Sequence, residues 1–455
     1  MERKHKNMTE MLLRIFLLIL IITSSSAWAG EKKLTPDAFN RYNKSFIKAD
    51  SRGNIWTAYY DLKGGIHIRN ITENRDLIVN EGREGLASGL AFDIQGEHAY
   101  VVWREKTGSK KLFFRVTHDG GMTLSEPVLL DDNSTEALSR MKIGSNSKGD
   151  VYVTWYGEKQ VGNATHHLYI TGSNDFGRSF SDIKNLTKGY VRSIYPIILV
   201  DEEAAYVFAY SSKEGGRRYM VFRRTDDRGK SWSEPLEIKE IGSVTRFIEP
   251  VRIGKRLHVF WFNGYDDFQI VEGAYSDDGG KTWITKTFED TKGFDLGTLR
   301  VAHDQSGHIY LAVYGHWKDN EKNNVYIIRS EDNGTTWQDM TPLRRYPSQL
   351  TQAKKPDIMA TEGGEVVAVW VDFRNIRRNL YMQYSKDFGR TWQEKDIPLE
   401  EPGRFNTGHY VYTDSLTKVK DKYYVLAYRF RGDLVMVGEA DLLLLDFKLD
   451  AEGAR

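Results

Sequence analysis

Short stretches of alternating apolar and polar residues recur along the chain, each ended by Gly, Asp or Asn. The run 151–155 (VYVTW) is followed by 167–171 (HLYIT), 99–103 (AYVVW) by 111–115 (KLFFR), and 366–370 (VVAVW) by 379–384 (NLYMQY). Runs rich in β-branched and aromatic residues and bounded by turn formers predict strands joined as hairpins. The same pairing recurs in 54–60 (NIWTAYY) with 65–69 (GIHIR), and in 423–428 (YYVLAY) with 434–437 (LVMV). No long stretch carries the apolar spacing of a helix, so the chain reads as all-β.

A second pattern sits between these hairpins: Ser/Thr-x-Asp-x-Gly-x-Ser/Thr-aromatic. Its aspartates are Asp119, Asp175, Asp227, Asp278, Asp332 and Asp387, spaced by 56, 52, 51, 54 and 55 residues. In the copy at Asp119 the aromatic is replaced by Leu124. A period near fifty residues means repeated supersecondary units. Each copy reads as a tight turn. The Asp accepts hydrogen bonds from its own turn, and the Gly supplies a positive φ. The final aromatic is placed to pack beside the turn. Six boxed units and two unboxed terminal ones make eight in all, or seven if the terminal units combine. The prediction is one closed β-propeller of four-stranded antiparallel blades, eight favoured over seven.

This motif resembles the Asp-box of the sialidase-like β-propellers, the bacterial neuraminidase repeat. The resemblance covers nearly all of residues 30–455 and is specific for fold. It is much less specific for function, because such propellers carry hydrolases, lyases, lectins and receptors. It implies that the box turns lie on one face and the ligand site on the other. That site would be built by the entries to first strands and the exits from second strands.

The N-terminus changes the compartment but not the fold. Arg3, Lys4, Lys6 and Arg14 precede an apolar run, and Ala27 and Ala29 supply small residues before a cut after Ala29. Residues 1–29 therefore read as a signal peptide, which predicts a periplasmic or secreted product with no integral membrane segment after cleavage. The chain has no Cys, which excludes disulfides and thiol catalysis. Its net charge of +1 provides no global field to recruit nucleic acid. The eleven histidines form no metal signature, and no phosphate loop or dinucleotide fingerprint occurs, so neither metal nor cofactor is expected.

Candidate chemistry comes from the two loop classes. Arg140, Arg192, Arg246 and Arg300 stand at the entries to first strands, with Lys354 and Lys355 in the equivalent place of the next unit. They could form a cationic ring at the channel mouth, or they could pair with acidic neighbours between blades. Arginine suits bidentate capture of a carboxylate or sulfate. Arg374 and Arg429 at second-strand exits join the substrate-binding set. Glu105, Glu158 and Asp372 are the acid/base candidates, and Tyr410 is the candidate nucleophile by analogy with sialidase Tyr–Glu chemistry. The Arg-Ile-Pro motif of sialidases is absent. The segments 192–196 (RSIYP) and 246–250 (RFIEP) are loose matches.

Three functions follow from these residues. One is a glycoside hydrolase-like enzyme acting on an anionic glycan, by hydrolysis or elimination. Another is a non-catalytic propeller binding a glycan or an envelope protein. The third is a structural envelope protein. Convergent arginines beside acid/base groups in one pocket would favour the first.

Overall fold

The computed structural model describes residues 29–39, 45–82, 87–105, 110–138, 140–159, 162, 164–242, 247–264, 269–317, 322–346, 351–409, 414–431, 439–450 and 453–454. Residues 1–28 of the predicted signal peptide 1–29, Arg246 and Tyr410, together with the predicted strand 434–437, lie outside these residues.

Eight antiparallel sheets follow one another along the chain, seven of them four-stranded. Blade 1 holds Phe46–Ala49, Ile55–Tyr60, Ile66–Asn70 and Arg75–Ile78. Blade 2 holds Ala87–Gln95, His98–Glu105, Leu112–Thr117 and Val128–Asp131. Blade 3 is Lys142–Ser145, Val151–Gly157, His167–Ser173 and Lys184–Asn185. Blade 4 is Arg192–Val200, Ala205–Ser212, Arg218–Thr225 and Leu236–Ile241. Blade 5 runs through Ile248–Ile253, Arg256–Gly264, Gln269–Ser276 and Ile284–Phe288. Blade 6 runs through Phe294–His303, Ile309–Trp317, Asn324–Ser330 and Thr341–Pro342, and blade 7 through Ala353–Ala360, Val366–Asn375, Arg377–Ser385 and Ile397–Pro398. This is the eight-bladed propeller that the repeat count favours.

Blade 8 closes the ring. Its middle strand, Lys422–Phe430, pairs inward with Thr407–Gly408 and Leu416–Val419 and outward with Glu439–Asp450. Glu439–Asp450 then pairs with Gly30–Phe39 from the other end of the chain. The first and last strands thus share a ladder, which ties the ring shut without a disulfide. Among the described residues no helix is long and apolar enough to cross a membrane.

The boxes act as expected and also join blades. In blade 3, Asp175 Oδ1 accepts from the backbone N–H groups of Arg178 and Ser179, and Oδ2 accepts from the Ser179 hydroxyl at 2.6 Å. Although burial pushes the other way, the Ser179 and Ser173 hydrogen bonds hold this carboxyl down at about 2. Each box aromatic reaches the preceding blade. Phe180 meets Phe114 at 4.8 Å, Trp232 meets Tyr152 at 6.0 Å, and Trp283 meets Phe222 at 5.1 Å. Gly280 needs to be glycine twice over. Its φ is +89°, and a Cβ would fall 2.3 Å from the Phe222 ring. The repeat is therefore a staple between neighbouring blades, built where third and fourth strands turn.

The first strands converge on the axis and carry charge there. Arg300 Nε, Nη1 and Nη2 lie 3.1, 3.2 and 2.6 Å from Asp357, Glu249 and Asp414 respectively. Lys48 pairs with Asp93 at 2.6 Å, and Ser145 donates to the same carboxylate. Arg300 is thus not part of a ring at the mouth. It sits at mid-strand, paired with Ala312, whereas Arg192 opens its strand opposite Ser212. The sequence spacing had merged two levels of the channel into one. Burial disfavours the charge on Arg300, but Asp357, Glu249 and Asp414 more than offset it, so the guanidinium is held firmly protonated.

Candidate functional site

Because the boxes join third to fourth strands, the opposite face carries the second-to-third loops and the connections into each new blade. At the boundary of blades 3 and 4 these elements bring six polar and aromatic side chains together. Arg140 precedes the first strand of blade 3, and its guanidinium carbon lies 4.6 Å over the Tyr195 ring. Tyr156, near the end of the strand Val151–Gly157, stands 6.0 Å from Tyr195, edge to face, and 6.0 Å from the His166 ring. His166 Nε2 is 3.6 Å from Glu158, and its Nδ1 is 3.0 Å from the Thr165 hydroxyl.

The backbone fixes this cluster. His166 forms a parallel bridge with Arg192, and its carbonyl accepts the Ser193 N–H at 2.9 Å. The loop of blade 3 is thereby sewn to the first strand of blade 4. That strand is irregular: Ile194 pairs with Tyr210 but Ile197 with Phe208, leaving one extra residue. Tyr195 occupies the bulge with φ of +56°, immediately before Pro196. A non-glycine residue resists this conformation, and bulges of this kind re-aim side chains beside functional sites.

The electrostatics suit an anion and a proton transfer. Among the described residues, no carboxylate pairs with Arg140 or Arg192, although ion pairs occupy most other arginines named above. Burial depresses His166 below its ordinary value, and Arg192 adds to this against the pull of Glu158. The imidazole is therefore neutral near pH 7. Burial raises Tyr156, while Arg140 and Arg192 draw it back. Glu158 is half-exposed and also lies 3.7 Å from Lys110 Nζ. The adjacent His167 faces away into the blade, where burial lowers it and its ring sits 6.1 Å from Tyr169.

The other expected residues are placed elsewhere. The three acid/base candidates stand in different blades: Glu105 in blade 2, Glu158 beside blade 3, and Asp372 in blade 7. Asp372 corrects the expectation for itself. It accepts from Arg344 Nε at 2.8 Å, from Arg374 Nη2 at 2.6 Å and from the Trp370 indole at 3.1 Å. Burial opposes its charge, but Arg374 and Arg344 hold it below the usual carboxylate range, so it is a buried counter-ion and a poor proton donor. Arg374 is likewise committed to Asp372 and Asp396, and Arg429 to Glu31 and Glu400. Glu105 is buried at the end of its strand.

Sequence reading had named Arg140, Arg192 and Glu158, but not Tyr195. The available signal was the segment RSIYP, read only as a loose family match. His166 carries no signal of its own in the sequence beyond standing next to His167.

With the geometry established, comparisons place the fold. The BNR repeat-like domain matches residues 203–428. A sialidase from Paraclostridium sordellii is 26% identical over 162 residues, covering 29% of this chain and 40% of that sialidase. The chain thus aligns with less than half the length of this relative. An ulvan lyase described as a new polysaccharide lyase family, solved bound to -[GlcA(1-4)Rha3S]-, aligns at 12% identity with a TM-score of 0.50, over 81% of this chain and 94% of that one. Another polysaccharide lyase aligns at 10% identity with a TM-score of 0.52, over 93% and 100%. The protein has a BNR-repeat, sialidase/lyase-like eight-bladed β-propeller fold.

Proposed function

We propose that this protein is an exported carbohydrate-active enzyme that cleaves an acidic glycan at the boundary of blades 3 and 4, by elimination next to a uronate. One observation carries this reading. Among the described residues Arg140 and Arg192 have no carboxylate partner, and they stand beside Tyr156 and His166. Two guanidinium groups can neutralise a uronate carboxylate and so acidify the adjacent C5–H. Neutral His166, oriented by Glu158 and Thr165, accepts the C5 proton. Tyr156 donates its phenolic proton to the departing O4. The C4–O bond breaks as the C4–C5 double bond forms, and the proton on His166 later returns to Tyr156 through solvent.

The hydrolase-like reading fits less well. Hydrolysis by a pair of carboxyl groups needs the two to face each other, whereas Glu105, Glu158 and Asp372 stand on separate blades; the Tyr-nucleophile route rests on Tyr410, which lies outside the described residues. Similarity to a sialidase and to polysaccharide lyases supports an anionic glycan as ligand and leaves either bond-breaking chemistry open. The test is incubation of the mature chain from Gly30 with glucuronate-, iduronate- and galacturonate-containing glycans. Ultraviolet absorbance of an unsaturated uronate, lost in Tyr156→Phe and His166→Ala, is expected. Reducing ends released without that chromophore would establish hydrolysis. Binding without turnover would favour the non-catalytic propeller.

A further inference from the structure

The ligand face has a second cationic region, across the ring from the first. Lys354 and Lys355 lie in the first strand of blade 7, and Arg378 begins its third strand region within Arg377–Ser385. All three are half-buried. Among the described residues no carboxylate pairs with any of them. Arg378 rests instead over aromatic faces, 5.4 Å from the Phe430 centroid and 6.0 Å from that of Phe373.

Their charges are uncompensated. Burial lowers Lys354, and Lys322 lowers it further. Burial lowers Lys355, with added repulsion from Arg378 and Lys354. Burial alone lowers Arg378. Half-buried cations that repel one another destabilise a fold unless something else uses them.

The backbone beneath them repeats the device of the first site. Lys354 pairs with Val371 and Asp357 with Val369, so one extra residue bulges from the strand. Lys355 holds φ of +60° directly before Pro356, as Tyr195 holds +56° before Pro196. The Lys355 carbonyl accepts from His409 Nε2 at 2.6 Å, and burial keeps that imidazole neutral, down at about 4. Blades 4 and 7 thus carry the same strained bulge, one beside Arg140 and Arg192, the other inside a lysine–arginine cluster. Trp317, exposed at the end of its blade 6 strand on the same face, offers a flat surface for a sugar ring.

We propose that Lys354, Lys355 and Arg378 form a second anion-binding site, which takes a sulfate or carboxylate group of the acidic glycan whose other end reaches Arg140 and Arg192. The proposal rests on the reading of this face as glycan-binding and narrows the substrate to a polyanionic chain that crosses the channel mouth. A ligand held at both poles gains affinity with length, because the second contact becomes intramolecular.

The test is calorimetric titration of the mature chain with two length series: oligogalacturonates, which carry only carboxylates, and dextran sulfate oligosaccharides, which carry only sulfates. Wild type, Lys355→Gln/Arg378→Gln and Arg140→Gln/Arg192→Gln are compared. The blade 7 variant is expected to bind the longer members of at least one series about tenfold more weakly or worse. Its melting temperature should stay level or rise, since mutual repulsion is removed. Unchanged affinity for both series in the folded variant would overturn the site, as would failure of wild type to bind either series. A lowered melting temperature would mark the cations as structural and also overturn it. Should the double variant misfold, Lys354→Gln alone is carried through the same titrations and judged by the same outcomes. If the blade 7 variant loses affinity while Arg140→Gln/Arg192→Gln binds normally, the second site stands and the reading of blades 3 and 4 falls.

Discussion

Arg300 offers a sharp test of whether an arginine expected to bind ligand instead holds the axis together. Replacing it by Met keeps much of the volume and removes the charge. The three carboxylates Glu249, Asp357 and Asp414 then face one another, with Lys142 and Lys48 as nearby cations. At the observed separations of 3.2, 3.1 and 2.6 Å, an effective dielectric near 20 gives roughly 5 kcal/mol of gross attraction per pair. The Asp414 side chain is 52% exposed, so its share is screened. Desolvation of the guanidinium cancels much of the remainder, and breaking such a network typically costs about 3–5 kcal/mol. We expect Arg300→Met to lose about 3 kcal/mol in urea-induced unfolding at pH 7. The loss should depend on pH in a definite direction. In the wild type, Asp414 is held below its unfolded value, so its contribution is present above that value and fades as pH falls through the lower, folded one. In the variant the same carboxylates lose their counter-ion, and Glu249, already raised by burial, rises further. Their repulsion is greatest at neutral pH and is relieved by protonation. The gap between wild type and variant must therefore shrink on acidification. A deficit under about 1 kcal/mol, or one that stays constant with pH, would refute the reasoning. Loss of glycan binding with stability intact would return Arg300 to the ligand set.

Other predictions follow from the same contacts. Asp227→Ala, which removes the acceptor of the Ser231 N–H and hydroxyl, should cost about 1–2 kcal/mol and leave glycan affinity unchanged. The Ser231 hydrogen bonds hold Asp227 at about 2, so this contribution is present above the unfolded aspartate value and disappears only as pH falls through about 2; a urea series against pH would detect it. If His166 accepts the substrate proton, kcat/KM should hold as pH drops through the ordinary histidine range and fall only below it, and Arg192→Gln should move that limb upward. A chain beginning after Phe39 leaves the edge of Glu439–Asp450 unpaired, and should lose its cooperative thermal transition or self-associate on size exclusion.

The propeller was legible because its causes are local. A box needs an Asp, a Gly and a Ser or Thr within a few residues, and its turn forms whatever the neighbouring blade contains. Six copies at even spacing then fix the ring and, through strand alternation, which loops share a face. Even the closing blade was counted from its strand pattern, although nothing in residues 30–39 announces that they pair with 439–450.

The site was only half legible. Arg140, Arg192 and Arg300 look alike as residues before or within first strands. What separates them is the company brought by segments 51, 57 and 114 residues away, which supply Glu249, Asp357 and Asp414 to Arg300, whereas among the described residues no carboxylate pairs with Arg140 or Arg192. Asp372 looked like an acid until Arg344 and Arg374 were seen to hold it. The bulges at Tyr195 and Lys355 leave no mark in the sequence, because a bulge depends on the register of the partner strand. Sequence alone determined the repeat, the turn chemistry and the all-β ring, since these arise from contacts within a unit. Which charges are neutralised inside the protein, and which stay open to a ligand, was decided by tertiary structure, because pairing energy depends on distance and burial between units that are remote along the chain.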